Sequence, residues 1–296
     1  MKEQRNTLSY GVPLEVNFEN VPDYDLDDYS GERTRSYGVV TRFTTQKYTQ
    51  EIQYEVTVSY LKKDYVKNYW TVQLQKSKVY INQANTDRVI DKINEEFMLQ
   101  VLYPVELAIS NTGRLLGVLN FEGITQRFQK FITLKRKEYT GIYATRFFTL
   151  LEQKMNSAHT LQSSMEKDWF WATFFTPVYF PKGYFGNKKT DNLFPAFNSF
   201  ENCMLYNGQI NVSKTYVREN TILINHKATN ENKNADISIE YELNATSFLI
   251  NEIRSKAQLK NIEHEVIKTI ETTIIHLREK DRNVPKKKKK RISFWS

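Results

Sequence analysis

The feature that most constrains this chain is the alternation of its side chains between residues 48 and 61. Apolar side chains occupy every second position, namely Ile52, Tyr54, Val56, Val58 and Tyr60. The positions between them carry Gln53, Glu55, Thr57 and Ser59. A period of two residues places the two sets on opposite faces of an extended strand. The segment is therefore predicted to be a half-buried β-strand, which needs a sheet and a core around it.

Strand-like and helix-like patterns divide the rest of the chain into three parts. Residues 38–44 and 65–74 are predicted to be strands on either side of the alternating segment. The middle contains a predicted helix at 86–99, a hairpin at 104–119 and three helices between 121 and 174. The remaining predicted strands are residues 203–212, 216–225, 237–243, 248–259 and 262–277.

Residues 262–277 carry two conflicting signals. Ile262, Val266, Ile270 and Ile274 recur every four residues, which suits a helix. The run 266–275 is rich in β-branched residues, which suits a strand, and we predict a strand. The predicted fold class is α+β. Strands from the N- and C-terminal parts form a curved antiparallel sheet, and the central helical segment packs on it.

Charge divides the chain into three predicted regions. Residues 1–35 form a polar acidic arm, residues 36–284 a single α+β domain with a further boundary near 200 left open, and residues 285–296 a disordered basic tail. The formal net charge is +8, and six cations lie at 286–291, which leaves +2 for the rest of the chain. A nearly balanced body argues against a basic nucleic-acid platform.

The basic tail is a candidate binding element. Its electrostatic residues are Lys286, Lys287, Lys288, Lys289, Lys290, Arg291 and Trp295. Cations near an anionic membrane contribute about 1 kcal/mol each, and the tryptophan adds interfacial burial. Binding to nucleic-acid phosphates is the less favoured interpretation, and a solvated end without a partner is the third.

The chemistry that common enzyme motifs require is missing. The sequence has no glycine-rich phosphate loop and no G-x-S-x-G turn, and the pair His264–Glu265 is followed by Lys268 where a zinc helix needs histidine. With one cysteine and four histidines, few metal ligands are available. We therefore predict no catalytic residue, no metal and no cofactor; whether the protein is an enzyme stays open, with the balance against it.

The lone cysteine and the lack of a long apolar run bear on the cellular compartment in which the protein is expected. Cys203 permits no internal disulfide, which favours a reducing compartment, and it is expected to be a buried, inert thiol. No stretch is long and apolar enough to predict a membrane-spanning helix. We expect a cytoplasmic protein, or one peripheral to the inner face of a membrane.

An aromatic segment supplies the other candidate site. Its rings are Trp169, Trp171, Phe175, Tyr179, Phe180, Tyr184 and Phe185. Prolines and glycines after residue 174 predict a loop without a long regular element. The rings could form core between the helices and the sheet, or line a surface that binds a protein partner.

Residues 104–141 read PVELAISNTGRLLGVLNFEGITQRFQKFITLKRKEYTG, with a G-R-L turn, then N-F-E-x-I-x-x-R-F and Y-x-G. This segment resembles part of certain uncharacterised bacterial proteins, some of them associated with contractile-injection or type VI secretion gene clusters. The resemblance is confined to this segment and implies no catalytic residue. In physical terms, Asn120 is expected to cap a helix that begins near Phe121, with Glu122 and Arg127 on its exposed side.

Two functions follow as hypotheses. The first is a non-enzymatic binding or assembly protein, such as an adaptor, a chaperone-like protein or a component of a secretion machine, which docks a protein partner. The alternative is a carrier of an apolar or lipid-like ligand at an anionic membrane surface. An apolar cavity of several hundred cubic ångströms favours the carrier, and a filled core favours the binding protein. The sequence does not fix the oligomeric state.

Overall fold

A computed structural model describes residues 34–81, 89–179, 186–198, 201–213, 221–245 and 247–277. Almost all of the acidic arm, the whole basic tail, and the rings Phe180, Tyr184 and Phe185 lie outside the described residues. The predictions made for them therefore stay predictions.

The described chain contains a meander of strands, a group of helices and a second meander. The strands are β1 (Thr34–Thr45), β2 (Thr49–Asp64), β3 (Tyr69–Ile81), β4 (Val105–Ser110), β5 (Leu115–Val118), β6 (Gly186–Phe194), β7 (Met204–Val212), β8 (Thr221–Asn230), β9 (Ala235–Asn244), β10 (Ile250–Lys260) and β11 (Val266–His276). The helices are α1 (Val89–Phe97), α2 (Phe121–Glu138), α3 (Ile142–Lys154), α4 (Ala158–Glu166) and α5 (Trp169–Phe174). A π-helical turn, Met98–Leu102, follows α1.

All the strands belong to one open, antiparallel sheet of 11 strands. Their order is β5-β4-β3-β2-β1-β11-β10-β9-β8-β7-β6. β1 pairs with β11, with Val39 opposite Ile274, and this central pair joins the two meanders. The prediction of an α+β fold with an antiparallel sheet built from both ends of the chain is confirmed, and so is the strand assignment of the ambiguous segment that became β11.

Alternation gives the sheet two chemically different faces. On β2, Tyr54, Val56 and Val58 are buried, whereas the polar residues between them are only partly buried. The same period of two continues through β8 and β9, so one face, here called the core face, is apolar. The opposite or outer face carries paired charges such as Arg42–Glu51 at 2.6 Å. This division is typical of an antiparallel sheet packed on one side only.

Helix α5 lies against the core face. The ring of Phe174 contacts that of Tyr37 at 5.3 Å between centroids, and the ring of Phe170 contacts that of Tyr54 at 6.1 Å. The hydroxyl of Tyr241 on β9 donates to the carbonyl of Thr173 at 3.1 Å. Aromatic contacts thus hold a short helix across strands from both meanders.

Two local predictions were wrong. β6 lies in the stretch predicted to be an irregular loop, because its breakers stand at the ends, at Gly186 and after Phe194, while the interior has neither proline nor glycine. Residues 161–174 form two helices rather than one, because the carboxylate of Asp168 accepts from the Phe170 amide at 2.8 Å and starts α5. Of the predicted strand 216–225, residues 221–225 belong to β8, and residues 216–220 lie outside the described residues.

The start of α2 also differs from expectation. The side chain of Asn120 does not cap the helix; it accepts from the Glu106 amide at 2.9 Å and donates to the Pro104 carbonyl at 3.0 Å. Arg127 is not on an exposed face, because its guanidinium donates to the carbonyl of Val101 at 2.8 Å and to that of Pro104. Both side chains tie α2 to the chain around β4 instead.

Candidate functional site at the free edge of the sheet

β6 is the last strand of the sheet and the longer of its two edges. It pairs with β7 along its whole length, from Gly186 opposite Val212 to Phe194 opposite Met204. Within the described chain, no backbone group of residues 189–194 bonds to anything beyond β7. A strand in this position presents N–H and C=O groups that can pair with another extended segment.

The side chains of β6 fall into two sets. Asn187, Lys189, Asp191 and Leu193 are exposed on the outer face, and Leu193 is 60% exposed. Lys189 and Asp191 are two positions apart on that face, and within the described part of the chain neither forms an ion pair. The outer side of the edge therefore offers one cation and one anion to a partner, and Lys188, on the other side of the strand, is a second exposed cation.

The opposite set anchors β6 to the core. The Thr190 hydroxyl lies 3.3 Å from Nε2 of His226 on β8. The ring of Phe194 contacts those of Tyr206 and His226, each at 5.7 Å. These contacts reach past β7 and hold the edge strand in a fixed position relative to the strands behind it.

The anchor contains buried polar side chains whose charged forms are disfavoured. His226 is fully buried, and burial lowers its pKa to about 4, so its imidazole is neutral in the folded protein at neutral pH. Burial also raises the pKa of the Tyr206 phenol. Nδ1 of His226, the Tyr206 hydroxyl and Nδ2 of Asn192 are buried and have no protein partner among the described residues. Such groups cost stability, which indicates that this corner of the core is less secure than its apolar centre.

A glycine shapes the strand behind the edge. A Cβ on Gly208 of β7 would lie 2.2 Å from the Lys227 carbonyl oxygen and 2.4 Å from the Ala228 side chain, so no larger residue fits. Beside this close approach the outer face has a groove of about 420 Å³. Most of its lining residues are polar, although much of the exposed surface comes from their carbon atoms; the lining comprises Asn207, Gly208, Gln209, Lys227, Ala228, Thr229, Asp236, Ile237, Ser238, Lys256 and Gln258.

The aromatic residues singled out in the sequence lie in the core as far as they are described. Trp169, Trp171, Phe175 and Tyr179 are between 3% and 8% exposed. Trp171 stacks on Phe175 at 5.4 Å, and Tyr179 donates through its hydroxyl to the Phe248 carbonyl at 3.1 Å. These four rings therefore form no open surface for a partner in this conformation.

The apolar space beneath α5 is small. A pocket of about 30 Å³ lies between the helix and β2, β3 and β4, and Trp70, Phe174 and Tyr179 are among its walls. That volume holds about two water molecules, not a lipid chain. In this conformation, the core between α5 and the sheet is filled.

The titratable side chains of the described core can be compared with the needs of a metal site and of a reactive thiol. Within the described residues, no three His, Cys, Asp or Glu side chains lie together as metal ligands. Lys76 is buried with its ammonium 3.5 Å from the Tyr54 ring centroid, and burial lowers its pKa. Cys203 is half-buried rather than fully buried, and burial raises the pKa of its thiol, which disfavours the reactive thiolate.

Comparison with known proteins supplies no family. No family model matches the chain, and no curated protein matches it. None of the helices in the described residues is long and apolar enough to cross a membrane. Nothing in these comparisons links the chain to secretion or contractile-injection proteins.

Three solved structures show weak similarity. One concerns lipid–protein interactions in lipovitellin: its TM-score is 0.48 at 11% identity, and the match covers 83% of this chain but 25% of that one. The others are an N-terminal dehydratase from the difficidin assembly line and a dehydratase domain from the CurJ module of curacin polyketide synthase. Their TM-scores are 0.14 and 0.11, at 10% and 6% identity, over 85% and 86% of this chain and 81% and 79% of theirs. None supports an inference about function.

One local signal for the edge strand is present in the sequence. Residues 187–193 contain no proline or glycine, and their outer-facing set is polar except for Leu193. That pattern is compatible with an edge strand, but proline- and glycine-rich neighbours concealed it. The importance of Lys189 and Asp191 depends on strand order, which no local pattern reveals.

Proposed function

We propose that this protein is a non-enzymatic binding or assembly protein that acts through the β6 edge of its sheet. The observation that carries the proposal is the backbone of residues 189–194, which no described residue beyond β7 pairs with, along an edge whose outer side chains are exposed. Extended segments add to such edges through main-chain hydrogen bonds, and the neighbouring side chains give specificity.

The filled core supports this choice over the carrier hypothesis. A ligand carrier of the kind considered needs a cavity of lipid size, and the pocket beneath α5 is about 30 Å³. To bind a lipid chain there, α5 would have to leave the aromatic contacts that hold it to Tyr37 and Tyr54. The carrier hypothesis therefore requires a second conformation, whereas the edge is available in this one.

We propose that the central helical segment as a whole covers the core face of a curved sheet, which the contacts of α5 support. We also propose a cytoplasmic protein with a protein partner, whose basic tail adds attraction to an anionic membrane. Nucleic acid is the less favoured partner, and a role in a secretion machine has only the resemblance of residues 104–141 in its favour.

Proline substitution tests the edge directly. In an antiparallel ladder, successive N–H groups point alternately toward the neighbouring strand and away from it. Of Asp191→Pro and Asn192→Pro, one therefore removes an outward amide and the other breaks the ladder with β7. Thermal unfolding identifies the variant that removes only an outward amide, because its unfolding midpoint stays near that of the native chain.

The folded proline variant is then compared with alanine at the same position, which keeps the amide. Complexes are cross-linked in the source cells and quantified by mass spectrometry. We expect the proline variant to lose at least one stoichiometric partner, or its own second copy, that the alanine variant retains. Equal recovery of every complex from both variants would rule out the edge as the binding site.

A further inference from the structure

We propose that the strand which β6 accepts is β6 of a second copy of this chain, paired antiparallel about Thr190, with Lys189 of each copy opposite Asp191 of the other. The inference rests on the proposed use of this edge and names its partner. It follows from the order of charges along β6, GNKKTDNLF, in which a cation and an anion flank a central threonine.

The pairing is self-complementary because the two charges on the outer face, Lys189 and Asp191, are placed symmetrically about the centre of the strand. The third charge, Lys188, lies on the other face and would stand opposite Asn192. When Thr190 faces Thr190 of the second copy, residue 189 faces residue 191 and residue 187 faces residue 193. Lys189 and Asp191 are both on the outer face, so the two opposite-charge pairs form side by side across the new junction. Twofold symmetry makes each contact occur twice.

Other registers that keep the two faces aligned are unfavourable. If the centre moves to residue 189, Lys189 faces Lys189 of the second copy, and Asp191 faces Asn187. If it moves to residue 191, Asp191 faces Asp191 of the second copy, and Lys189 faces Leu193. Like charges placed directly opposite destabilise a strand pair. The pairing centred on Thr190 places both outer-face charges opposite a side chain of opposite sign.

The face behind this junction is also compatible with a second copy. Thr190 would face its symmetry mate, and threonine pairs are favourable across antiparallel strands. Its hydroxyl is already positioned by His226, so little side-chain freedom remains to be lost on pairing. The product is a continuous sheet in which neither copy keeps an open long edge.

The interface is small, and this sets the expected affinity. One added strand pair buries less surface than the interface of a stable dimer of the usual size. The dissociation constant of the dimer is therefore expected to be micromolar or higher. Because both ion pairs lie at the surface, salt should weaken the association.

Charge exchange tests the inference. The native full-length chain is examined by sedimentation over a wide concentration range, and a monomer–dimer equilibrium is expected. Lys189→Asp places two anions opposite each other, and Asp191→Lys places two cations opposite each other. Each single change is expected to weaken dimerisation by about tenfold or more. The double variant K189D/D191K restores opposite charges in reversed order and should restore the native dissociation constant.

The matched control is Lys227→Asp, which makes the same charge change on the outer face of β8, two strands from the edge. It should leave dimerisation unchanged. Circular dichroism and thermal midpoints confirm that each variant is folded. A native chain that stays monomeric at every concentration, single variants that dimerise normally, or a double variant without rescue would each overturn the inference.

These outcomes separate the inference from the proposed function. If the native chain is monomeric but the folded proline variant still loses a cellular partner, the edge binds another protein and only the inference fails. If the proline variant keeps all its complexes and the native chain is monomeric, both fail, and the charges on β6 serve only to keep the edge unpaired.

Discussion

The two edges of the sheet are protected to different extents. β5 has four residues, α4 packs against it, and the Leu119 amide immediately after it donates to the Glu106 carbonyl at 2.7 Å. β6 has nine residues, and beyond β7 no described element continues the ladder. A very short edge strand is poorly able to pair with another chain. A long edge strand either needs features that prevent such pairing or serves as a binding site. The contrast places the candidate site at β6.

The strands behind the two edges differ as well. The side chain of Arg127 fixes the chain that leads into β4 through three carbonyls, so the β5 side is supported by charge-assisted hydrogen bonds. The β6 side depends on a neutral imidazole and contains three buried polar atoms that have no protein partner within the described part of the chain. The edge with the open backbone is therefore also the one with the weaker support, a combination often found where binding occurs.

Acid should expose this difference most strongly. The ordinary imidazole pKa is 6.5, and that of His226 is lowered to about 4, so the unfolded chain takes up a proton between these values while the folded chain does not. Above pH 6.5 this difference in proton uptake costs the folded state no stability, and the free energy of unfolding decreases as the pH falls from 6.5 toward 4. We expect a total loss of about 3 kcal/mol in the free energy of unfolding, measured by denaturant titration.

The comparison variant for acid is His226→Leu. Because leucine does not titrate, the difference in stability between the variant and the native chain should shrink or reverse as the pH falls. Hydrogen exchange, corrected for intrinsic rates, should show β6–β8 opening at low pH before β3–β5, which contain no histidine. Uniform opening of both sides would contradict the view that the β6 edge is the weaker one.

A pair of glycine substitutions compares the edges sterically. Gly208→Ala places a methyl group 2.2 Å from backbone, and we expect a loss of about 2 kcal/mol. In Gly117→Ala, on β5, the nearest atom to the new Cβ is Oε1 of Gln162 at 3.9 Å, so stability should change by less than about 0.5 kcal/mol. Thermal and denaturant unfolding measure the loss of stability in each variant. Equal losses would show that stability does not depend on the close approach of β7 and β8.

Parts of this fold are determined locally and could be predicted. β2 has alternating side chains along its length, and β11 has the β-branched residues that override a helical spacing. β6 could not be predicted in the same way, because its core side supplies only Thr190, Asn192 and Phe194, and its neighbours are rich in breakers. The pairing of β1 with β11 and the open edge follow from long-range strand order, so the candidate site emerged only from the structure.

The smallest effect on stability is expected from removing the basic tail, a change that separates the tail from the edge as binding elements. Deletion of residues 285–296 should alter the free energy of unfolding by less than about 0.5 kcal/mol, because a segment built on a run of like charges is predicted to be disordered. Binding to vesicles of anionic lipid, measured by co-sedimentation, should be lost, since six cations contribute about 1 kcal/mol each.

The edge variants provide the crossed control for the tail. Lys189→Asp should lose dimerisation and still bind the vesicles, and the tail deletion should lose the vesicles and still dimerise. A deletion that binds vesicles as the native chain does would remove the tail from the proposed function and leave the edge as its sole support. If instead the deletion abolished dimerisation, association would depend on the tail rather than on the charge order of β6, and the contrast between the two edges would lose its functional meaning.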